Sequence, residues 1–146
     1  MGKRLIIPGA DFSANAIQIE PIINPVEYTL QNGYASAGSA TSVDIDNGAS
    51  VSIRVRTNQL YGPYTVKTKS GYVIRAICTY DTAITNFSPG NHSTTGAANV
   101  SGVQSTTEYT LTAENKYSII TFCKTNSSEA ISASEDIVDY IIRPLE

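Results

Sequence analysis

The fold class is decided by the stretch Ser50-Val51-Ser52-Ile53-Arg54-Val55-Arg56, in which apolar and polar residues alternate with a period of two. Successive side chains of a β-strand point to opposite faces, so the three aliphatic residues share one face and the polar residues share the other. The stretch therefore predicts a half-buried strand. We expect Val51, Ile53 and Val55 to lie between two stacked layers while the opposite face stays in contact with water.

A second alternating stretch precedes the first one, at Thr41-Ser42-Val43-Asp44-Ile45. The residues between the two stretches, Asp46-Asn47-Gly48, tolerate the positive φ angles of a tight turn. Together with Asp44, as Asp44-x-Asp46-Asn47-Gly48, they also resemble part of a calcium-binding loop, but the spacing is one residue short and the distal glutamate is missing. The sequence therefore predicts a β-hairpin here and no metal site.

Further short strands are predicted from the same kind of pattern, at residues 3–7, 26–30, 64–67, 72–80, 109–112 and 118–124. The strands at 72–80 and 118–124 carry apolar residues on both faces, which is typical of central strands that a second layer covers. Residues 85–107 between them are rich in Ser, Thr, Asn and Gly, and they predict a long surface loop. A short strand near 98–104 within that loop is the alternative.

The C-terminal region carries the signature of a helix start at Ser132-Ala133-Ser134-Glu135, which has the S-x-x-E form of a capping box. Three apolar residues come next at helical spacing, Ile137, Val138 and Ile141. The segment therefore predicts one short C-terminal helix. An edge strand over residues 138–142 is the alternative.

Many short strands joined by polar turns, with no repeat array and no linker between two cores, indicate an antiparallel β-sandwich. We therefore predict an all-β chain that forms a single domain over residues 1–146. The preferred arrangement is a jelly roll with one short C-terminal helix. Residues 1–25 are expected to form an N-terminal strand and an extended segment packed on the domain.

The composition argues against several classes of function. Of the 146 residues, 41% are hydrophobic and only 16% are charged, with a net charge of −3, so the chain can form a core but offers little to a polyanion. We therefore expect no nucleic acid partner. One histidine and two cysteines supply few metal ligands, and no cofactor is predicted. The apolar run near the N-terminus is too short for a signal peptide or a membrane span, so we expect synthesis in the cytoplasm without membrane insertion.

No residue pattern supports catalysis, and we predict that the protein is not an enzyme. His92 lies beside hydroxyl side chains, but no second histidine and no G-x-S-x-G turn accompanies it. Adjacent Glu135 and Asp136 would point in different directions on a helix, which suits a helix start better than acid–base chemistry.

The two cysteines each follow a tyrosine by six residues, in the similar patterns Tyr72-x-Ile74-x-x-x-Cys78 and Tyr117-x-Ile119-x-x-x-Cys123. This matching phase would let the cysteines meet if the two strands pair. We expect two buried free thiols instead, because a chain made in a reducing compartment rarely keeps disulfides.

Tyrosines are the most suggestive feature for binding, since a tyrosine ring offers a flat apolar face to a sugar and a hydroxyl for hydrogen bonding. In Tyr61-Gly62-Pro63-Tyr64, glycine and proline would hold two rings on one turn. Nearby Asn58 and Gln59 could add directional amide contacts. The predicted ligand-binding residues are therefore Tyr61, Tyr64, Asn58 and Gln59. Packing of either ring in the core is the alternative.

Several segments resemble those of a known family. They are Gly71-Tyr72-Val73-Ile74-Arg75-Ala76-Ile77-Cys78-Thr79-Tyr80-Asp81, the loop residue Phe87, Tyr117-Ser118-Ile119-Ile120-Thr121-Phe122-Cys123-Lys124, Ile131-Ser132-Ala133-Ser134-Glu135-Asp136-Ile137 and the opening Ile7-Pro8-Gly9-Ala10-Asp11-Phe12-Ser13-Ala14-Asn15-Ala16. In their order, these segments resemble the small jelly-roll, carbohydrate-binding-module-like domains of phage tail fibres and of surface proteins of gut bacteria. The resemblance implies glycan binding and a place in a virion tail or on a bacterial cell surface.

The leading hypothesis is a non-catalytic binding or adhesion module, for a glycan, within a phage tail or a bacterial surface assembly. The alternative is a structural subunit that forms a symmetric oligomer without sugar binding. In that case the strand edges and residues 85–107 would form the interface. We expect a homo-oligomer.

Overall fold

A computed structural model of the chain describes residues 24–32, 42–45, 54–84, 90–93, 98–126 and 128–144. The strands are β1 (Asn24–Pro25), β2 (Leu30–Asn32), β3 (Ser42–Ile45), β4 (Arg54–Thr57), β5 (Leu60–Tyr61), β6 (Tyr64–Thr68), β7 (Tyr72–Tyr80), β8 (Gly90–Ser93), β9 (Ala98–Asn99), β10 (Glu108–Leu111), β11 (Tyr117–Lys124) and β12 (Val138–Arg143). Within these ranges no helix has the length and apolar character needed to cross a membrane. The predicted strand at 3–7 and most of the segment 1–25 lie outside the described residues.

The larger sheet is built around β11 and β7, the two strands that the sequence predicts as central. Among the described residues its order is β2-β4-β11-β7-β9, and β5 pairs with β11 beside β4. The pairings are antiparallel, and β7 and β11 run past each other from Tyr117 opposite Tyr80 to Lys124 opposite Tyr72. The prediction of two central strands is therefore confirmed.

A smaller sheet packs against the larger one and buries a shared core. Its order is β1-β12-β6-β10, with antiparallel pairing throughout. The cluster between the sheets includes Tyr64, Val66, Val138 and Ile141 of the smaller sheet and Val55, Ile74, Ile77, Ile120 and Phe122 of the larger one. Two antiparallel layers with a common core form a β-sandwich, as predicted. Val55 is fully buried as expected, whereas Val51 and Ile53 lie outside the described residues.

A bulge separates β4 from β5, which lie end to end along one edge of β11. Arg56 lies opposite Thr121 and Leu60 lies opposite Ser118, so residues 57–59 face only two residues of β11. The inserted residue interrupts the regular ladder of backbone hydrogen bonds. The Thr57 side chain compensates in part, because its Oγ1 accepts a hydrogen bond from the backbone nitrogen of Ile120 at 3.2 Å.

Part of the predicted hairpin between residues 41–45 and 50–56 lies outside the described residues, namely the turn at 46–48 and residues 49–53, which would pair across it. β3 forms where expected and pairs with β8, which places Val43 opposite His92. β4 pairs with β2 and β11. Alternation predicts that a segment is a strand but does not identify its partners, and a distant segment supplies hydrogen bonds to β3.

The predicted C-terminal helix is wrong, and the edge-strand alternative describes the segment better. The capping contacts do form, since Glu135 Oε2 accepts from the backbone nitrogen of Ser132 at 3.1 Å. The turn stops there, and β12 begins at Val138, with Val138 and Ile141 buried in the core. Pairing with β6 satisfies the backbone of this β-branched stretch and buries its aliphatic side chains between the sheets.

Residues 85–107 are not one irregular loop, because β8 and β9 fall within them. β9 pairs with β7 and places Asn99 opposite Cys78. The alternative of a short strand near 98–104 is therefore confirmed for Ala98–Asn99. Val103, at 1% exposure, fixes the end of this segment in the core.

The two cysteines are buried and free, as expected. Their strands do pair, but the pairing is antiparallel, so Cys78 lies opposite Ile119 while Cys123 lies opposite Val73. About four residues along β11 separate the two positions, or about 13 Å. A disulfide needs Cα atoms within about 7 Å, so the matching phase of the two patterns places the thiols at opposite ends of the strand pair.

Candidate functional site

An aromatic row crosses the larger sheet on the face turned away from the smaller sheet. Ile120 of β11 points into the shared core, so its neighbour Ile119 and the nearby Tyr117 point outward. The register places Tyr117 opposite both Tyr61 of β5 and Tyr80 of β7. Three adjacent strands therefore each contribute one ring.

The three rings make direct contacts. The centroids of Tyr61 and Tyr117 lie 4.8 Å apart at an interplanar angle of 68°, an edge-to-face arrangement. Those of Tyr80 and Tyr117 lie 6.2 Å apart and are nearly parallel, at 18°. Both separations fall in the range in which aromatic pairs attract each other.

Burial increases along the row. Tyr80 is fully buried with Cys78, Ile84 and Ile119, and Tyr117 packs against this cluster. Tyr61 is 39% exposed, and it is the one large hydrophobic side chain among the described residues that is exposed to solvent. The row therefore anchors one accessible ring on a rigid aromatic base.

Polar groups surround the exposed ring. The Tyr61 hydroxyl donates to Asn115 Oδ1 at 2.9 Å, and Arg143 Nη2 donates to the Tyr61 carbonyl at 2.6 Å. Asn115 itself has a positive φ of 61°, a conformation that asparagine tolerates better than most residues. Lys116 and Asp81 form an ion pair nearby. The surface therefore combines a ring, an amide and an ion pair.

Gly62 permits the close approach that holds Tyr61 against the Asn115 turn. Its backbone nitrogen donates to the Lys116 carbonyl at 2.9 Å. A Cβ atom at this position would overlap the carbonyl oxygen of Ala113. Any larger residue would push the two segments apart, so the glycine maintains the geometry of the site.

Tyr64, the second predicted ring, lies elsewhere. The chain passes from the larger sheet in β5 to the smaller sheet in β6, so Tyr61 faces outward while Tyr64 points between the sheets. Tyr64 is fully buried, and its hydroxyl lies 2.7 Å from Ser118 Oγ. Burial raises the pKa of this hydroxyl. Tyr64 therefore presents no ring face to a ligand, and it packs in the core as the alternative predicted.

The predicted amide contacts of Asn58 and Gln59 are engaged in holding neighbouring backbone. Asn58 Oδ1 accepts from the Thr29 nitrogen at 2.8 Å, and the Asn58 nitrogen donates to the Thr29 carbonyl at 3.1 Å. Gln59 Nε2 donates to the Ile84 carbonyl at 2.7 Å, while Gln59 Oε1 accepts from the Ile84 nitrogen at 2.8 Å. Both residues fix segments beside the row and do not join Tyr61 in a common surface.

Sequence reasoning missed Tyr117, Tyr80 and Asn115. A usable signal existed for the first two, because each tyrosine stands at the end of a predicted central strand. Had the antiparallel pairing of those strands been assumed, the two rings would have fallen opposite each other. Asn115 gave no signal of its own, since its position depends on the contact between two distant turns.

The surface around Tyr61 carries groups that can contact a ligand. The described residues hold no group of three or more His, Cys, Asp or Glu side chains that could bind a metal ion. Burial raises the pKa of the Tyr80 hydroxyl further above neutral pH, so the hydroxyl is a neutral group of the buried cluster. His92 lies in β8 opposite Val43. What the surface offers is a ring face and hydrogen-bonding groups.

Comparison with known proteins gives no relative for this chain. No protein-family model, no curated protein and no solved structure matches it.

Proposed function

We propose that this protein is a non-catalytic binding module for a glycan, and that the ring of Tyr61 is the platform on which a sugar stacks. The observation that carries the proposal is the 39% exposure of Tyr61 on a row of packed aromatic rings. Sugar rings present apolar C–H faces, and a rigid exposed ring binds them with little loss of side-chain entropy. Tyr64, Asn58 and Gln59 are not part of this site.

Asn115 supplies the polar side of the proposed site. Its Oδ1 already accepts from Tyr61, which leaves the amide nitrogen to donate to a sugar hydroxyl. The exposed Lys116–Asp81 ion pair lies beside it and adds further donors and acceptors. A few directional groups around one apolar platform are typical of small-ligand sites.

We propose in addition that the sandwich is of the jelly-roll type and serves in a virion tail or a bacterial surface assembly. The chain crosses repeatedly between the two sheets, since β6, β10 and β12 lie in the smaller sheet and β5, β7, β9 and β11 lie in the larger one. Repeated crossing is a feature of double-sheet jelly rolls and supports this choice. The setting rests on the sequence resemblance alone.

A glycan array tests the proposal. The wild-type protein and four variants would be compared: Tyr61→Ala, Tyr61→Phe, Asn115→Gly and Tyr140→Ala. We expect Tyr61→Ala to weaken binding at least about tenfold, as loss of a central aromatic contact does. Tyr61→Phe should retain most binding, because the ring stays. Asn115→Gly keeps the positive φ and removes only the amide, so a weaker signal would assign it to the ligand.

Tyr140→Ala is the matched control, because it removes a tyrosine from the smaller sheet whose hydroxyl donates to Glu108 at 2.7 Å. Binding unaffected by Tyr61→Ala would remove the proposed site. Binding to no glycan, combined with a stable oligomer in solution, would favour the alternative of a structural subunit.

A further inference from the structure

A pocket of about 370 Å³ opens on the larger sheet, at the end of β11 opposite the aromatic row. Its lining includes three cationic side chains, Arg54, Arg75 and Lys124, and the hydroxyls of Ser105 and Thr125. The whole chain carries a net charge of −3, so this concentration of positive charge runs against the overall balance.

The register explains why these side chains converge. Cys123 of β11 lies opposite Arg54 of β4 on one side and Val73 of β7 on the other. Side chains directly opposite each other share one face of a sheet, and adjacent strands lie about 4.8 Å apart. Cys123, at 2% exposure, therefore lies at the base of a shallow site between β4 and β7.

A β-bulge brings Arg75 to the same place. Phe122 lies opposite Ile74 and Thr121 lies opposite Ala76, so Arg75 is the extra residue of β7 and has no partner in the ladder. Bulges redirect the side chain of the inserted residue and are enriched beside functional sites. Among the described residues, no side chain or backbone group forms a hydrogen bond or ion pair with the Arg75 guanidinium, so this group is available to a ligand.

A carboxylate among the described residues borders the pocket. Glu135 Oε1 lies 3.6 Å from Lys124 Nζ and accepts a hydrogen bond from the Tyr72 hydroxyl at 2.7 Å. This ion pair offsets the charge of Lys124. Arg75 keeps its positive charge, because no carboxylate of the described residues pairs with it.

We infer that this pocket binds a single oxyanionic group, a carboxylate, sulfate or phosphate, at Arg75. The planar guanidinium fork of Arg75 is suited to donate two parallel hydrogen bonds to such a group. Hydroxyls of Ser105 and Thr125 are suited to the remaining oxygens. About six residues along β11 separate this pocket from Tyr117, or about 20 Å, so the inference does not depend on glycan binding at Tyr61.

Sodium sulfate titrated at constant ionic strength tests the inference, with binding followed by NMR shifts of the backbone amides at 73–75, 104–106 and 123–125. We expect saturable shifts in the wild type and at least about tenfold weaker affinity in Arg75→Gln, because hydrogen bonds to charged groups are strong. Arg75→Lys keeps the charge and loses the fork, so its affinity should fall between the two. Phosphate and glucuronate, with neutral glucose as the matched control, identify which oxyanion binds best.

Two further variants separate a specific site from general electrostatics. Glu135→Gln removes the bordering carboxylate and should strengthen sulfate binding about twofold to fivefold. Lys67→Gln makes the same charge change as Arg75→Gln on the smaller sheet, and it should leave the affinity unchanged. Equal loss in Lys67→Gln and Arg75→Gln would overturn the inference, and so would the absence of saturable shifts in the wild type. Tyr61→Ala should bind sulfate normally, which keeps this test separate from that of the glycan site.

Discussion

Two buried tyrosine hydroxyls, on Tyr64 and Tyr80, differ in one respect that decides their effect on stability. Tyr64 shares its hydroxyl with Ser118 at 2.7 Å, whereas the Tyr80 hydroxyl makes no hydrogen bond with the residues that the structure describes. Both rings are fully buried. A buried polar group without a partner loses its hydration without compensation, so the same chemical change should act in opposite directions at the two positions.

We therefore predict that Tyr64→Phe lowers the free energy of unfolding by about 1–2 kcal/mol, because it leaves the Ser118 hydroxyl without this partner. Tyr80→Phe should raise that free energy, by about 1 kcal/mol, because it removes the uncompensated hydroxyl. Urea denaturation of both variants measures the difference. A loss of stability in Tyr80→Phe equal to that in Tyr64→Phe would contradict the assignment.

The residue patterns alone could not distinguish Tyr61 from Tyr64. The two rings stand close together in the chain, and both suit a turn or a core. Their difference arises because the chain changes sheet between them, so one ring faces outward and the other faces the core. That crossing depends on the pairing of β5 with β11 and on the pairing of β6 with β10 and β12. Local residue patterns do not contain this information.

Among the secondary-structure elements, strand positions were largely predictable and strand partners were not. Alternation and apolar character placed β7 at 72–80 as observed, and they placed β11 to within one residue. β3 pairs with β8, a segment that the polar composition indicated as loop. The helix failed because a capping box describes one turn, whereas pairing with β6 determines the conformation of the residues after that turn.

The bulge between β4 and β5 has a consequence for stability that can be measured. Gln59 uses its side-chain amide as a strand would use its backbone, both donating to and accepting from Ile84. We predict that Gln59→Ala destabilises the protein by about 1–3 kcal/mol, since two part-buried backbone groups lose their partner. Gln59→Glu should cost at least as much at neutral pH, because a carboxylate cannot donate to the Ile84 carbonyl.

Thermal or urea unfolding measures both variants, with Asn126→Ala as an exposed amide control in a different turn. A change within about 0.5 kcal/mol for Gln59→Ala would mean that the Gln59 side chain contributes little beyond ordinary surface contacts.

For the molecule as a whole, the two cysteines report on cooperative unfolding, because they lie at opposite ends of the central strand pair. Cys78 is fully buried and Cys123 is 2% exposed, and burial raises the pKa of Cys78 to about 11. The thiolate is the reactive form of cysteine. Burial and a raised pKa therefore both slow modification of the thiol. We predict that neither thiol reacts with a thiol reagent at about pH 8 in the native protein, and that both react in urea.

The two thiols should also become labelled at the same rate when unfolding limits the reaction. Mass spectrometry of the partly labelled protein measures this, since a cooperative molecule gives unlabelled and doubly labelled species. Accumulation of a singly labelled species would show that one end of the β7–β11 pair opens independently. The single variants Cys78→Ser and Cys123→Ser identify which end.

The lengths of the edge strands of the two sheets affect whether the protein aggregates at high concentration. The outermost described strands, β1, β10, β2 and β9, have two to four residues, while the inner pair β7 and β11 has nine and eight. Another chain can pair with an edge strand only along a row of unsatisfied amide and carbonyl groups. These short edge strands provide few such groups. Copies held at high local density should therefore resist fusing into fibrils, which would allow dense display on a surface.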